Sequence, residues 1–366
     1  NVSSTCFFST TFIHHFLPAL YSKLLLPNCL THIGREGETM VNLIRGSVVS
    51  TLDLDDTRFE QYCLDLIRPL EVSGMYGAGY EAHSLVEFLM EESRSSNLGL
   101  LSRARLLRLR GMFALHAAGT DSVRLHDAAK QLKAAYHIAD FCTRASESEA
   151  SDAKASSQKE SLVLTMQGVV MAGLVRCRSW HCLVGVSAPR WPADGDWEGL
   201  VEADGGLLLE ECGVAVGRES DSGRGSALSD EIRALGLRAI ALYTVTRDDH
   251  GKQGRHWAEM LLTQAAALNR GRVESCRALN LLDAALITNN RHSRKNYLEE
   301  AHHILRGLPP GRVLEEVLYL KLLRIVFAER PKHPLRKLER LADEFDLAGS
   351  PYFSQLAKEL SRSRRS

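Results

Sequence analysis

The sequence predicts an all-α protein, a superhelix built from stacked antiparallel helix pairs. Three observations predict it. Apolar residues recur at i, i+3, i+4 and i+7 through most of the chain after Thr57, the spacing of one helix face. The composition favours helices: aromatics are only 7% of the 366 residues, while Leu, Ala, Arg and Glu are abundant, and such side chains keep their freedom in a helix. The C-terminal third also matches itself when shifted by 40 residues. Apolar residues at 45% and charged residues at 25% are ordinary for a chain that buries a core.

Residues 1–39 are expected to lie outside the fold, as a disordered or non-native leader with translation beginning at Met40, the first methionine. The apolar runs Cys6-Phe7-Phe8 and Leu24-Leu25-Leu26 are broken by His14, His15, Pro18 and Lys23. No Lys or Arg precedes Lys23, so the basic start of a signal peptide is missing, and the runs are too short to span a bilayer.

Residues 40–145 form an N-terminal helical region. Phe59, Tyr62, Cys63, Leu66 and Ile67 make one stripe, ended by Pro69, and Ala82, Leu85, Val86 and Leu89 make a second. Leu98 to Ala118 reads as one long helix with Leu106, Leu109, Phe113 and Ala117 on a face. Gly119-Thr120-Asp121-Ser122 is a turn, its Gly ending one helix and Asp or Ser capping the next. That next helix carries Leu125, Ala128, Ala129, Leu132, Ala135, Tyr136 and Ala139, small enough for close helix approach.

Residues 146–161 (SESEASDAKASSQKES) are poor in apolar side chains and read as a solvated linker or loop. In 162–229, Leu162, Met166, Val169, Val170 and Cys177 resume the helical spacing. Loops follow at Val186–Asp196 and Gly213–Ser229, with Trp197, Leu200, Val201 and Leu208 suggesting a helix between them. Residues 230–366 hold seven predicted helices, at Asp230–Val245, Gly254–Asn269, Arg272–Thr288, Arg294–Arg306, Arg312–Glu329, Pro334–Phe345 and Pro351–Arg362, joined by short Gly, Pro and Asn connections.

The 40-residue shift superposes Ala239, Leu279 and Tyr319, and Leu242, Leu282 and Leu322, on the first helix of each pair. On the second helix it superposes Ala258, Leu298 and Leu338, and Ala265, Leu305 and Phe345. In this register Ala258 belongs in a helix–helix seam and Glu259 faces solvent. The patterns Ala258-x-x-x-Leu262-x-x-Ala265 and Ala128-x-x-x-Leu132-x-x-Ala135 resemble the second helix of a tetratricopeptide repeat, and Leu235-Gly236 is similar to the Leu-Gly pair of its first helix. The resemblance is to the superfamily, over Leu98–Phe141 and Asp230–Phe345, with a period of 40 in place of about 34 residues. Within it, Ala278-Leu279-Asn280-Leu281-Leu282 and Leu318-Tyr319-Leu320-Lys321-Leu322-Leu323 are similar in texture to meiotic scaffolds that organise crossover factors and to the helical arm of separase.

No catalytic, cofactor-binding or metal-ligating residue is expected from the sequence. Gly217, Gly223 and Gly225 are not followed by the Gly-Lys-Ser/Thr of a phosphate loop. The eight cysteines are scattered and read as buried thiols of a reducing compartment, cytoplasmic or nuclear. Cys177, His181 and Cys182 are close in sequence but lack the remaining ligands of a closed zinc site, and His302-His303 point to different faces of one helix. Arg103, Arg105, Arg108 and Arg110 read as a solvated face, and Ser361–Ser366 as an exposed basic end.

Lys plus Arg and Asp plus Glu number 45 each, which removes the global cation surplus that backbone binding of nucleic acid requires. The expected function is a non-enzymatic protein–protein interaction scaffold holding a partner's peptide or helix in a groove, without a membrane. A meiotic or chromosome-associated tetratricopeptide scaffold is one alternative and an RNA-binding helical repeat the other.

Overall fold

The computed structural model describes residues 99–118, 121–145, 152–176, 207–208, 212, 228–246, 251–308, 313–328, 333–348 and 350–364, and every regular element among them is an α-helix. The helices are α1 (Leu100–Ala117), α2 (Ser122–Ala145), α3 (Asp152–Arg176), α4 (Asp230–Thr246), α5 (Gly251–Leu268), α6 (Glu274–Ile287), α7 (Arg291–Arg306), α8 (Leu314–Val326), α9 (Pro334–Leu347) and α10 (Pro351–Ser363). None of them is long and apolar enough to cross a membrane.

Local chemistry sets several ends. Asp121 Oδ1 accepts from the amides of Val123 at 3.0 Å and Arg124 at 3.3 Å, capping α2 as the turn sequence predicts. Asn290 Oδ1 does the same for α7, accepting from His292 N at 2.9 Å and Ser293 N at 3.2 Å. Gly271, at φ +73°, turns the chain between α5 and α6, a left-handed conformation that glycine takes without a Cβ clash. Pro334 and Pro351 stand in the first turns of α9 and α10, where no amide donor is needed.

The first three helices pack around one close approach. A Cβ on Gly111 of α1 would stand 2.7 Å from Leu132 Cγ of α2, so only glycine lets these helices meet this tightly. The pair α1–α2 packs on α3, and α3 on α4. Thereafter consecutive helices pair as α4–α5, α6–α7 and α8–α9, while α4 touches α6 and α6 touches α8 directly. α10 lies against α9, and it also touches α1. Tyr319, Phe345 and Phe353 join α8, α9 and α10, with ring centroids 5.1 Å apart for Tyr319–Phe353 and 5.4 Å for Phe345–Phe353.

One apolar core runs from Met112 in α1 to Leu360 in α10. Of the twelve positions superposed by the 40-residue shift, all but Leu279 and Leu298 are buried, and those two pack half-buried against the core.

Several expectations are corrected. Helix α3 begins at Asp152, inside the stretch read as a linker, and Gln158 and Ser161 are buried. A helix face can bury short or uncharged polar side chains along with its apolar ones, so low apolar content misread this stretch. The arginine run is not a solvated face: Arg108 is 0% and Arg105 4% exposed. Arg108 Nε donates to the Leu164 carbonyl at 2.6 Å and its Nη2 to Gln167 Oε1 at 2.7 Å, so a cation on α1 is anchored inside by polar groups of α3. Glu259 does not simply face solvent, because it accepts from the Tyr297 hydroxyl of α7 at 3.0 Å. In the basic end, Ser361 is buried within α10, and Arg364 Nη2 donates to the Val326 carbonyl at 3.2 Å. Both stripes before Leu98 and the leader lie outside the described residues, as do the loop at 186–196 and most of that at 213–229.

Candidate binding surface

Two polar features stand out, one buried and one open. The buried one lies across the layer α4–α6–α8. Arg238 Nε of α4 donates to Asp283 Oδ2 of α6 at 2.6 Å, and the Tyr319 hydroxyl of α8 donates to Asp283 Oδ1 at 3.0 Å. Asp283 is 0% exposed. Burial pushes its carboxyl up, while the Arg238 charge and the two hydrogen bonds hold it partway back. Burial likewise pushes the Cys276 thiol up to about 11, and the Glu316 carboxyl up to about 8 with Glu315 adding to the effect. A thiol held that high is protonated and a poor nucleophile. The network ties three helices together from inside.

The open feature is a cleft of about 640 Å³ between α7 and the end of α8. Arg291, Arg294 and Lys295 line it from the first turns of α7, Arg324 from α8, and Phe327 from the residue following α8. Leu298 adds an apolar wall, and among the described lining residues Glu299 is the single carboxylate. Lys295 and Arg324 are exposed, whereas Arg294 is held. Its Nε donates to the Ala285 carbonyl at 3.0 Å and its Nη2 to the Thr288 carbonyl, closing the C-terminus of α6. Its guanidinium carbon sits 4.0 Å from the centroid of the Phe327 ring, a cation–π contact. Partial burial first, then the charges of Arg255 and Arg291, lower its pKa. Elsewhere on α7, His302 is also lowered, by slight burial and by Arg324, Arg306 and His303. The whole face is electropositive and suited to holding anionic groups.

The sequence does not single out this cleft, since its residues come from two separate segments, 291–299 and 324–328, and its cations read as solvated helix surface. One signal was present. Cations crowd the start of α7, whose first turn holds no acidic residue, although the positive end of a helix dipole disfavours them. Of the residues weighed for metal, Cys177, His181 and Cys182 lie outside the described residues, and His302 and His303 stand on α7. Among the described residues no group of three His, Cys, Asp or Glu side chains converges on a site for an ion. Cys142, Cys212 and Cys276 carry reduced thiols, the last two buried.

No protein-family model, curated protein or solved structure matches the chain, so its function is read from its own residues.

Proposed function

We propose that the chain is a non-enzymatic protein–protein interaction scaffold, a tetratricopeptide-like superhelix of antiparallel helix pairs. The observation that carries this reading is the layering in the C-terminal part. Among alternate helices, α4 touches α6 and α6 touches α8, and each of the three also packs against the following helix, α5, α7 or α9. Stacked pairs have that neighbour pattern, and such stacks present long surfaces to partners. The contact of α10 with α1 departs from a fully open stack and limits how far the surface extends. The chromosome-associated version of this reading rests on the texture of α6 and α8 alone.

The test is affinity capture of the crosslinked, tagged full chain from matched lysates with and without nuclease, with mass spectrometry of the bound protein and recovery of bound RNA from the untreated lysate. The expected result is a protein partner enriched reproducibly and competed by untagged chain. Recovery of RNA with no competed protein would replace this reading with the RNA-binding repeat.

A further inference from the structure

We propose that the cleft between α7 and α8 binds an acidic peptide segment of a protein partner, two or more carboxylate side chains flanking one apolar residue. This rests on the scaffold reading and names the chemistry of the segment that it holds.

Charge complementarity carries the assignment. Arg294, Lys295 and Arg324, with Arg291 beside them, line the cleft, and Glu299 is the single carboxylate among the described lining residues. Glu299 lies 3.7 Å from Lys295, one turn away, and offsets only part of that charge. Partial burial first, and then the charges of Arg255 and Arg291 against that of Glu259, lower the pKa of Arg294. A stable fold gains nothing from such crowding at the positive end of a helix, and an anionic occupant relieves it. Arg294 cannot swing away, since its donors hold the α6 carbonyls and its face covers Phe327. It forms a fixed cationic floor, while the exposed Lys295 and Arg324 are placed to reach toward carboxylates. Leu298 and the edge of Phe327 supply the apolar contact.

The same residues argue against nucleic acid as the occupant. Base stacking on a single strand needs open aromatic faces in succession. Among the described lining residues the rings are those of Phe327 and His292, on different segments, and Arg294 covers a face of Phe327. A cleft of about 640 Å³ has room for a few side chains, not for a duplex.

The experiment is fluorescence anisotropy of the full chain with a labelled ten-residue peptide of Glu and Asp around a central Leu. A Lys-based peptide of equal length and a ten-nucleotide single-stranded RNA are run beside it. The acidic peptide should bind and the Lys peptide should not. Lys295→Glu with Arg324→Glu should weaken binding at least about tenfold, and Arg270→Glu, on the α5–α6 turn, should leave it unchanged. Because a double reversal can perturb the fold, Glu299→Gln is measured too, and it should tighten binding about two- to threefold by releasing Lys295. No binding of the acidic peptide, equal binding by wild type and the double reversal, or RNA binding lost in its place, overturns the proposal. A partner captured equally well by wild type and the double reversal leaves the scaffold standing and removes the cleft as its docking site.

Discussion

Asp283 is shared between Arg238 and Tyr319, each oxygen of its buried carboxylate serving a different helix, at 2.6 Å and 3.0 Å. Replacing Asp283 with Ala leaves Arg238, whose side chain is only 15% exposed, without its counter-charge. A loss of about 3–5 kcal/mol is expected, the usual cost of breaking a buried pair from one side. Tyr319→Phe removes one hydrogen bond to a charged acceptor and should cost about 1.5–3 kcal/mol. Urea denaturation of both variants checks the order, and a harmless Asp283→Ala would show that α4, α6 and α8 are not pinned here.

Glu316, near that network, sets a pH dependence. Its folded-state carboxyl stands at about 8, above the ordinary value of about 4.3, so the folded protein holds this proton more tightly than the unfolded chain does. Its contribution is therefore full in acid and is lost as the pH rises through about 8. Partial solvent access discounts the effect, and a fall of about 1–3 kcal/mol between pH 5 and 8.5 is expected from this group. Glu316→Gln should flatten that part of the profile and be more stable than wild type at pH 8.5. Denaturant midpoints measured across pH decide it.

Arg294 joins the end of α6 to the ring following α8. Arg294→Ala should cost about 1–3 kcal/mol through lost carbonyl bonds and the uncovered ring. Arg294→Lys should restore less than half, because an ammonium cannot bond two carbonyls and lie flat on Phe327 at once. Thermal and urea melts of the pair test this; full rescue by Lys would mean that only the charge matters.

Ala258 is 0% exposed, in the seam of α5 with its neighbours. Ala258→Glu should destabilise by several kcal/mol or prevent folding, since a carboxylate there has no room and no water. Glu259→Ala, which loses the Tyr297 hydrogen bond, should cost about 0.5–1.5 kcal/mol. Chemical denaturation separates them, and equal effects would place Ala258 at the surface.

Gly111→Ala sets two effects against each other. Helix propensity favours Ala by about 1 kcal/mol. The added methyl would meet the branch carbon of Leu132 at 2.7 Å, a clash that rotating a side-chain tip does not relieve. Overpacking costs of about 1–3 kcal/mol should prevail, and the variant should melt at a lower temperature.

The helices were legible because periodicity and end signals act locally. The predicted ends at Asp230, Pro334, Arg306 and Pro351 coincide with those observed, and Asp121 caps where a turn residue should. What sequence could not show is which polar residues turn inward. Arg108 and Asp283 look like any charged residue on a helix, and their burial depends on partners 56 and 45 positions away. A polar stretch such as 152–161 is equally ambiguous: its helicity depends on packing against residues distant in sequence, which helix period alone does not report. The cleft was hidden for the same reason, since Arg294 and Phe327 meet only after α6, α7 and α8 have stacked.

The touch between α10 and α1 gives the chain a different mechanical character from a row of dominoes. In a row coupled only to nearest neighbours, fraying at one end is invisible at the other. Here the last described helix braces the first, so stripping away 351–366 should raise amide hydrogen exchange in α1, more than 200 residues upstream. Damage at one end would be felt at the other, and the molecule should come apart in fewer, larger steps than its stacked helices suggest.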